Sequence, residues 1–161
     1  MSADPRPFYR GSTGKFGGFV HTVSQMAALR AAAQAVAAIT FGAELGKLSL
    51  DGIEILGAKS RGGDALGDIS VWVSGVAAID RYRFGSPAGS GWIVDFNYDD
   101  DQRHDLAAAA KLAAEVDPKD ERDLVYAAWV WATDMMADET AWAAIEAMAR
   151  MIEIAAPPVE E

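Results

Sequence analysis

Asp95-Phe96-Asn97-Tyr98-Asp99 carries oxygen ligands at the first, third and fifth positions of a calcium-loop pattern, D-x-N-x-D. Such a loop also needs a glycine at its sixth position, for the sharp turn, and a bidentate glutamate at its twelfth. This chain has Asp100 and Leu106 there. The expectation is therefore no metal at Asp95–Asp105, and the commoner reading of the segment is a strand end running into an acidic helix cap.

The histidines are His21 and His104, and the chain has no cysteine, hence no disulfide, no thiol nucleophile and no Cys-based zinc site. His104 lies beside Asp101 and Asp105 and could serve as a general base, though more often such a histidine is an exposed helix residue. Arg81, Arg83, Asp95 and Asn97 form the one polar pocket the pattern suggests, on one face of a sheet, and His104 of the following helix joins them as a candidate. No positioned nucleophile accompanies it, so the chain leans away from an enzyme. No catalytic residue and no cofactor is assigned. Gly11-Ser12-Thr13-Gly14-Lys15 fails as a phosphate loop: Tyr9 stands where the first glycine belongs, and Phe16 follows the lysine in place of Ser or Thr. The glycine-rich segments 61–67 and 85–91 are read as loops.

A different kind of site is written into Leu124 to Met136. Trp129 and Trp131 project about 200° apart on a helix, so one core face cannot hold both. Leu124, Ala128, Trp131 and Met135 form one stripe, and Val125, Trp129, Ala132 and Met136 a second. Trp142, Met148 and Met151 extend the surplus. Tryptophan and methionine are enriched at protein interfaces, which makes Trp129, Trp131, Trp142 and Met135 candidate contacts. The competing reading is a helix buried on both stripes, which periodicity alone does not separate.

The elements that would position these residues read as α+β. Residues 1–18 contain two prolines and four glycines and are read as an irregular arm. Thr22 caps an alanine-rich helix to about Phe41, with Gln25, Arg30 and Gln34 off its apolar stripe and Gly42 and Gly46 at its exit. Leu48–Leu50 and Ile53–Ile55 flank Asp51-Gly52 as a hairpin. Ile69 to Phe84 alternates as a strand with a bulge at Gly75, and Trp92 to Tyr98 as its partner. Phe84 then faces Trp92, Tyr82 faces Val94, and Arg81 faces Asp95. Asp99–Asp101 begin a helix to about Glu115, Asp117-Pro118 a second to about Met136, and Asp138 a third to Ile154. The expected architecture is an N-terminal helix, a central antiparallel sheet of about four strands and three C-terminal helices packed on the sheet. It forms a single α+β domain over 1–161, with 155–161 a disordered tail.

Charge narrows the function classes. Residues 1–94 hold 9 Lys/Arg against 7 Asp/Glu, a net of +2, whereas residues 95–161 hold 5 against 17, a net of −12. An acidic half argues against direct nucleic-acid binding, which needs a basic footprint. It suits another protein with a basic surface, met through rim acids such as Asp120, Asp123, Glu139 and Glu146. No apolar run is long enough for a membrane span, and no secretory leader pattern opens the sequence, so a cytoplasmic protein is expected. The leading expectation is a non-enzymatic acidic protein-binding module: an inhibitor, immunity factor, adaptor or phage-associated accessory protein. Two alternatives stand beside it: a small enzyme or ligand-binding domain using the polar sheet face and Asp95–Asp105, and a structural subunit of a larger assembly or homo-oligomer.

Overall fold

A computed structural model describes residues 20–56, 65–84 and 100–156. Among these, five α-helices carry nearly all the structure: α1 (Val20–Thr40), α2 (Ala65–Phe84), α3 (Asp100–Val116), α4 (Glu121–Ala137) and α5 (Glu139–Ala155). The only sheet among them is a hairpin, β1 (Glu44–Ser49) and β2 (Gly52–Leu56). The expected four-stranded α+β architecture is therefore wrong. This is a helical fold with a small antiparallel appendage.

The main correction is Ile69 to Phe84, read as a strand and in fact most of helix α2. Residues 73–80 are all buried, because α2 packs against α1, α3 and α4. A helix covered on every side loses the polar face that marks helical periodicity. Its Ile and Val residues then imitate a strand. Ile69, Val73, Val76 and Ala77, all fully buried, keep the i, i+4, i+7, i+8 spacing that a helix requires. Gly75 is accordingly no bulge; it lies mid-helix against Arg30 and Gln34 of α1 and Asp105 of α3. Gly67, placed in a loop by the sequence, lies in the first turns of α2 against the Phe41 ring.

Helix α1 begins before Thr22, which is thus inside it rather than its cap. It is the second central helix, with Ala28, Ala31, Ala32 and Ala35 fully buried against its neighbours. Small side chains let helix axes approach closely, and α1 packs against both α2 and α5. It closes in a Schellman motif. Gly42 has φ 89°, its N–H donates to Ile39 O at 2.9 Å, and Ala43 N–H donates to Ala38 O at 2.9 Å.

The hairpin turns one residue earlier than expected, at Leu50-Asp51, with Ser49 paired to Gly52. Gly52 has φ 140°, a conformation other residues rarely take. The register breaks between Leu45 and Leu48, where Lys47 N–H donates to the Glu54 carboxylate at 3.0 Å. Leu48, Leu50 and Ile53 pack on the helical core.

After α3, Asp117 accepts from Lys119 N–H at 3.0 Å and caps a 3-10 turn, Pro118–Asp120. Asp138 accepts from Ala141 N–H at 2.9 Å and caps α5. The helices after residue 100 pack chiefly on α1 and α2 rather than on a sheet, with α5 also touching β1. The 1–18 arm, the loop 85–91, the strand Trp92–Tyr98 with its pairings, and residues 157–161 of the tail lie outside the described residues. Arg81, Tyr82 and Phe84 are helical, so they form no strand for that segment to pair with.

Candidate functional site

Helix α4 packs on α2, α3 and α5, and this decides where its aromatic residues go. Trp129 is 2% exposed, inside the core with Val125, Ala128, Ala132 and Met136. Trp131, on the other stripe, is half-buried, tilted at 46° against Phe41 with ring centroids 4.8 Å apart. Met135 beside it is half-buried on the same core. Trp142 of α5 is 8% exposed, with the Arg81 guanidinium 4.7 Å above its ring. Both stripes of α4 are thus used in packing within the chain. A third face of α4 carries the partly exposed Tyr126 and Val130, bounded by the exposed Asp123 and Asp134.

The rim acids do stand outward. Asp120, Asp123, Glu139 and Glu146 are all exposed. Residues 111–156 contain ten Asp/Glu and four Lys/Arg, and among the described residues none of these pairs with an opposite charge; the ion pairs lie elsewhere, at Arg30–Asp105 and Arg103–Asp100. Crowding shows at the α3–α4 corner, where the Asp117 carboxylate, and to a smaller extent that of Asp123, raises the Asp120 pKa above its ordinary value. Like charges held close together disfavour the ionised form.

The polar-pocket residues are dispersed by the helical geometry. Arg81 and Arg83, placed on one face of a strand, diverge on α2. Arg81 donates to Met136 O at the end of α4, while Arg83 reaches the Gln102 side chain of α3 at 3.4 Å. His104 is exposed and meets Trp72 edge-on, centroids 5.9 Å apart. Asp95 and Asn97 lie outside the described residues. Among the described residues no three acidic or histidine side chains gather closely enough to hold a metal ion.

The sequence reading missed a polar seam in the core. Arg30 donates to both Asp105 oxygens, and Gln34 donates to Oδ2 at 3.3 Å. Further along α2, Gln102 donates to Asp80 at 3.0 Å and to Val76 O at 3.1 Å. Arg30 and Gln34 sit off the apolar stripe of α1, and yet both are buried. The signal for their burial is the stripe's breadth: nearly every residue from 27 to 38 is buried, leaving α1 no wet side for them.

One cleft of about 170 Å³ opens between α1, α2 and α5, lined by Gln25, Leu29, Tyr82, Glu146, Ala149, Arg150 and Glu153. Leu29 and Ala149 are its buried apolar floor, and the Tyr82 hydroxyl donates to Gln25 Oε1 at one end. Glu146 and Glu153 flank Arg150 on successive turns of α5, yet neither forms an ion pair with it.

No family model matches the chain, no curated protein matches its sequence, and no solved structure matches its fold. Among the described residues no helix is long and apolar enough to cross a membrane.

Proposed function

We propose that this chain is a non-enzymatic acidic binding module that engages the basic surface of another protein, as an inhibitor, immunity factor, adaptor or phage-associated accessory protein would. One observation carries the reading: the acidic side chains of residues 111–156 have no cationic partners among the described residues, and at Asp120 they repel one another. A net charge away from zero also serves solubility, but an acidic excess of ten to four creates in addition a field that steers an oppositely charged partner. The tryptophans no longer support the reading as anchors, since their rings pack within the chain. The exposed Tyr126 and Val130, between Asp123 and Asp134, take that place. An aromatic side chain in an acidic frame offers short-range burial inside long-range attraction.

The test is kinetic. A partner captured by the immobilised chain is measured at rising ionic strength, where the Debye length falls from about 10 Å at 0.1 M to about 3 Å at 1 M. Association should slow about ten-fold or more, and charge reversal at Asp120, Asp123 and Glu139 should slow it further at low salt. An on-rate indifferent both to salt and to the three reversals overturns the reading.

A further inference from the structure

We infer that the cleft between α1, α2 and α5 is the seat for one arginine side chain of the basic partner, an inference that rests on the function proposed above. Size is the first constraint. At about 170 Å³ the cleft is smaller than the roughly 300–1,000 Å³ of pockets that take drug-sized ligands or cofactors. It has room for one side chain.

Chemistry is the second constraint. The two glutamates are acceptor-only groups with no cation committed to them, and each can take a planar guanidinium edge in two-pronged fashion. Leu29 and Ala149 between the walls provide an apolar floor for a methylene stem. Tyr82 contributes an aromatic ring, and a guanidinium is the cation that both stacks on such a ring and forks onto a carboxylate. Its hydroxyl proton is already given to Gln25, which leaves the phenol oxygen able to accept.

Arg150 does not spoil the site. With two carboxylates and one guanidinium the walls keep a net negative charge, and Arg150 is exposed, so its donors reach water. The ammonium groups of a free polyamine neither fork onto a carboxylate nor stack as a plane on the Tyr82 ring, whereas an arginine side chain does both.

The probe is N-acetyl-L-argininamide, titrated into the full chain and followed by NMR at Tyr82, Leu29 and Ala149. Saturable shifts at these residues are expected, with N-acetyl-L-lysinamide at least five-fold weaker and Glu146→Gln/Glu153→Gln weakening the arginine probe ten-fold or more. Both glutamates lie at the surface, and an unchanged circular dichroism spectrum verifies the fold of the double variant. No shift at the cleft, equal binding of the lysine probe, or full binding by the double variant each overturns the inference. The same variant separates it from the wider proposal. Salt-dependent partner association that survives Glu146→Gln/Glu153→Gln with an unchanged off-rate removes the cleft and leaves the acidic surface. Salt-indifferent association removes the acidic surface itself.

Discussion

Arg30 and Asp105 meet in a two-pronged ion pair, Nε to Oδ2 at 2.7 Å and Nη2 to Oδ1 at 2.8 Å, between helices α1 and α3 and 75 residues apart in sequence. The side chains are 7% and 0% exposed. Such a pair contributes little net stability, because removing both charges from water offsets their attraction, but breaking it strands a buried charge. Arg30→Met and Asp105→Leu should therefore each cost about 3–5 kcal/mol, while the double variant should cost much less than their sum. Urea unfolding of the four proteins measures the coupling. Additive losses would mean that the pair does not act as a unit.

Gly75 is what lets that pair sit where it does. A Cβ there would lie 2.8 Å from Gln34 Nε2 and 3.0 Å from both Arg30 Cγ and Asp105 Oδ2. On helix propensity alone Gly75→Ala should stabilise by about 1 kcal/mol. The clash should reverse the sign, giving a net loss of about 1–3 kcal/mol of the kind overpacking produces. Thermal unfolding decides between them, since a rise in Tm would show that the seam yields easily.

The same seam explains what the sequence could and could not convey. Three helix boundaries were legible because their chemistry is local: Asp117, Asp138 and Gly42 each mark one by a bond within a few residues, whereas the starts of α1 and α2 were misplaced. The central helices were not. Residues 69–84 alternate apolar and polar as a strand would, and their polar members Ser70, Ser74 and Asp80 are fully buried instead of facing water. Ser74 bonds back to Ser70 O at 2.7 Å within α2, and Asp80 meets Gln102 across to α3. A period-2 reading takes polar residues as solvent-facing, and here three of them are inside. The acidic surface was legible from composition, but the cleft was not, since it joins residues from α1, α2 and α5.

Trp129 and Trp131 should differ when removed. Trp129→Ala empties a core site and should cost about 3–5 kcal/mol. Trp131→Ala loses a half-buried ring and its contact with Phe41, together about 1–2 kcal/mol. Partner off-rates should be unchanged in the Trp131 variant once folding is intact, while Tyr126→Ala should raise them. Denaturant unfolding and dissociation kinetics on the same proteins test both statements. A normal off-rate for Tyr126→Ala would remove the exposed α4 face from the interface.

Asp117 and Asp120, three residues apart, should respond to substitution with opposite signs. Asp117 accepts from Lys119 N–H and holds the 3-10 turn, so Asp117→Ala should cost about 0.5–2 kcal/mol as a lost cap. Asp120 precedes α4 but makes no capping bond, and its pKa is raised above 3.8, first by Asp117. A carboxyl whose pKa is higher folded than unfolded keeps its proton more readily in the folded state. Its repulsion is absent below the unfolded pKa and grows as pH rises through the folded one, so stability falls across that window. Asp120→Asn should therefore be more stable than the parent at neutral pH, and the two should converge near about pH 3, where carboxyls are largely protonated. The favourable helix dipole at this end opposes the gain and weakens it. Tm measured from acid to neutral pH reads the difference directly. A parent protein that stays the more stable of the two at neutral pH would show that the dipole outweighs the crowding, and that the acidic corner is less strained by its own charge than its geometry implies.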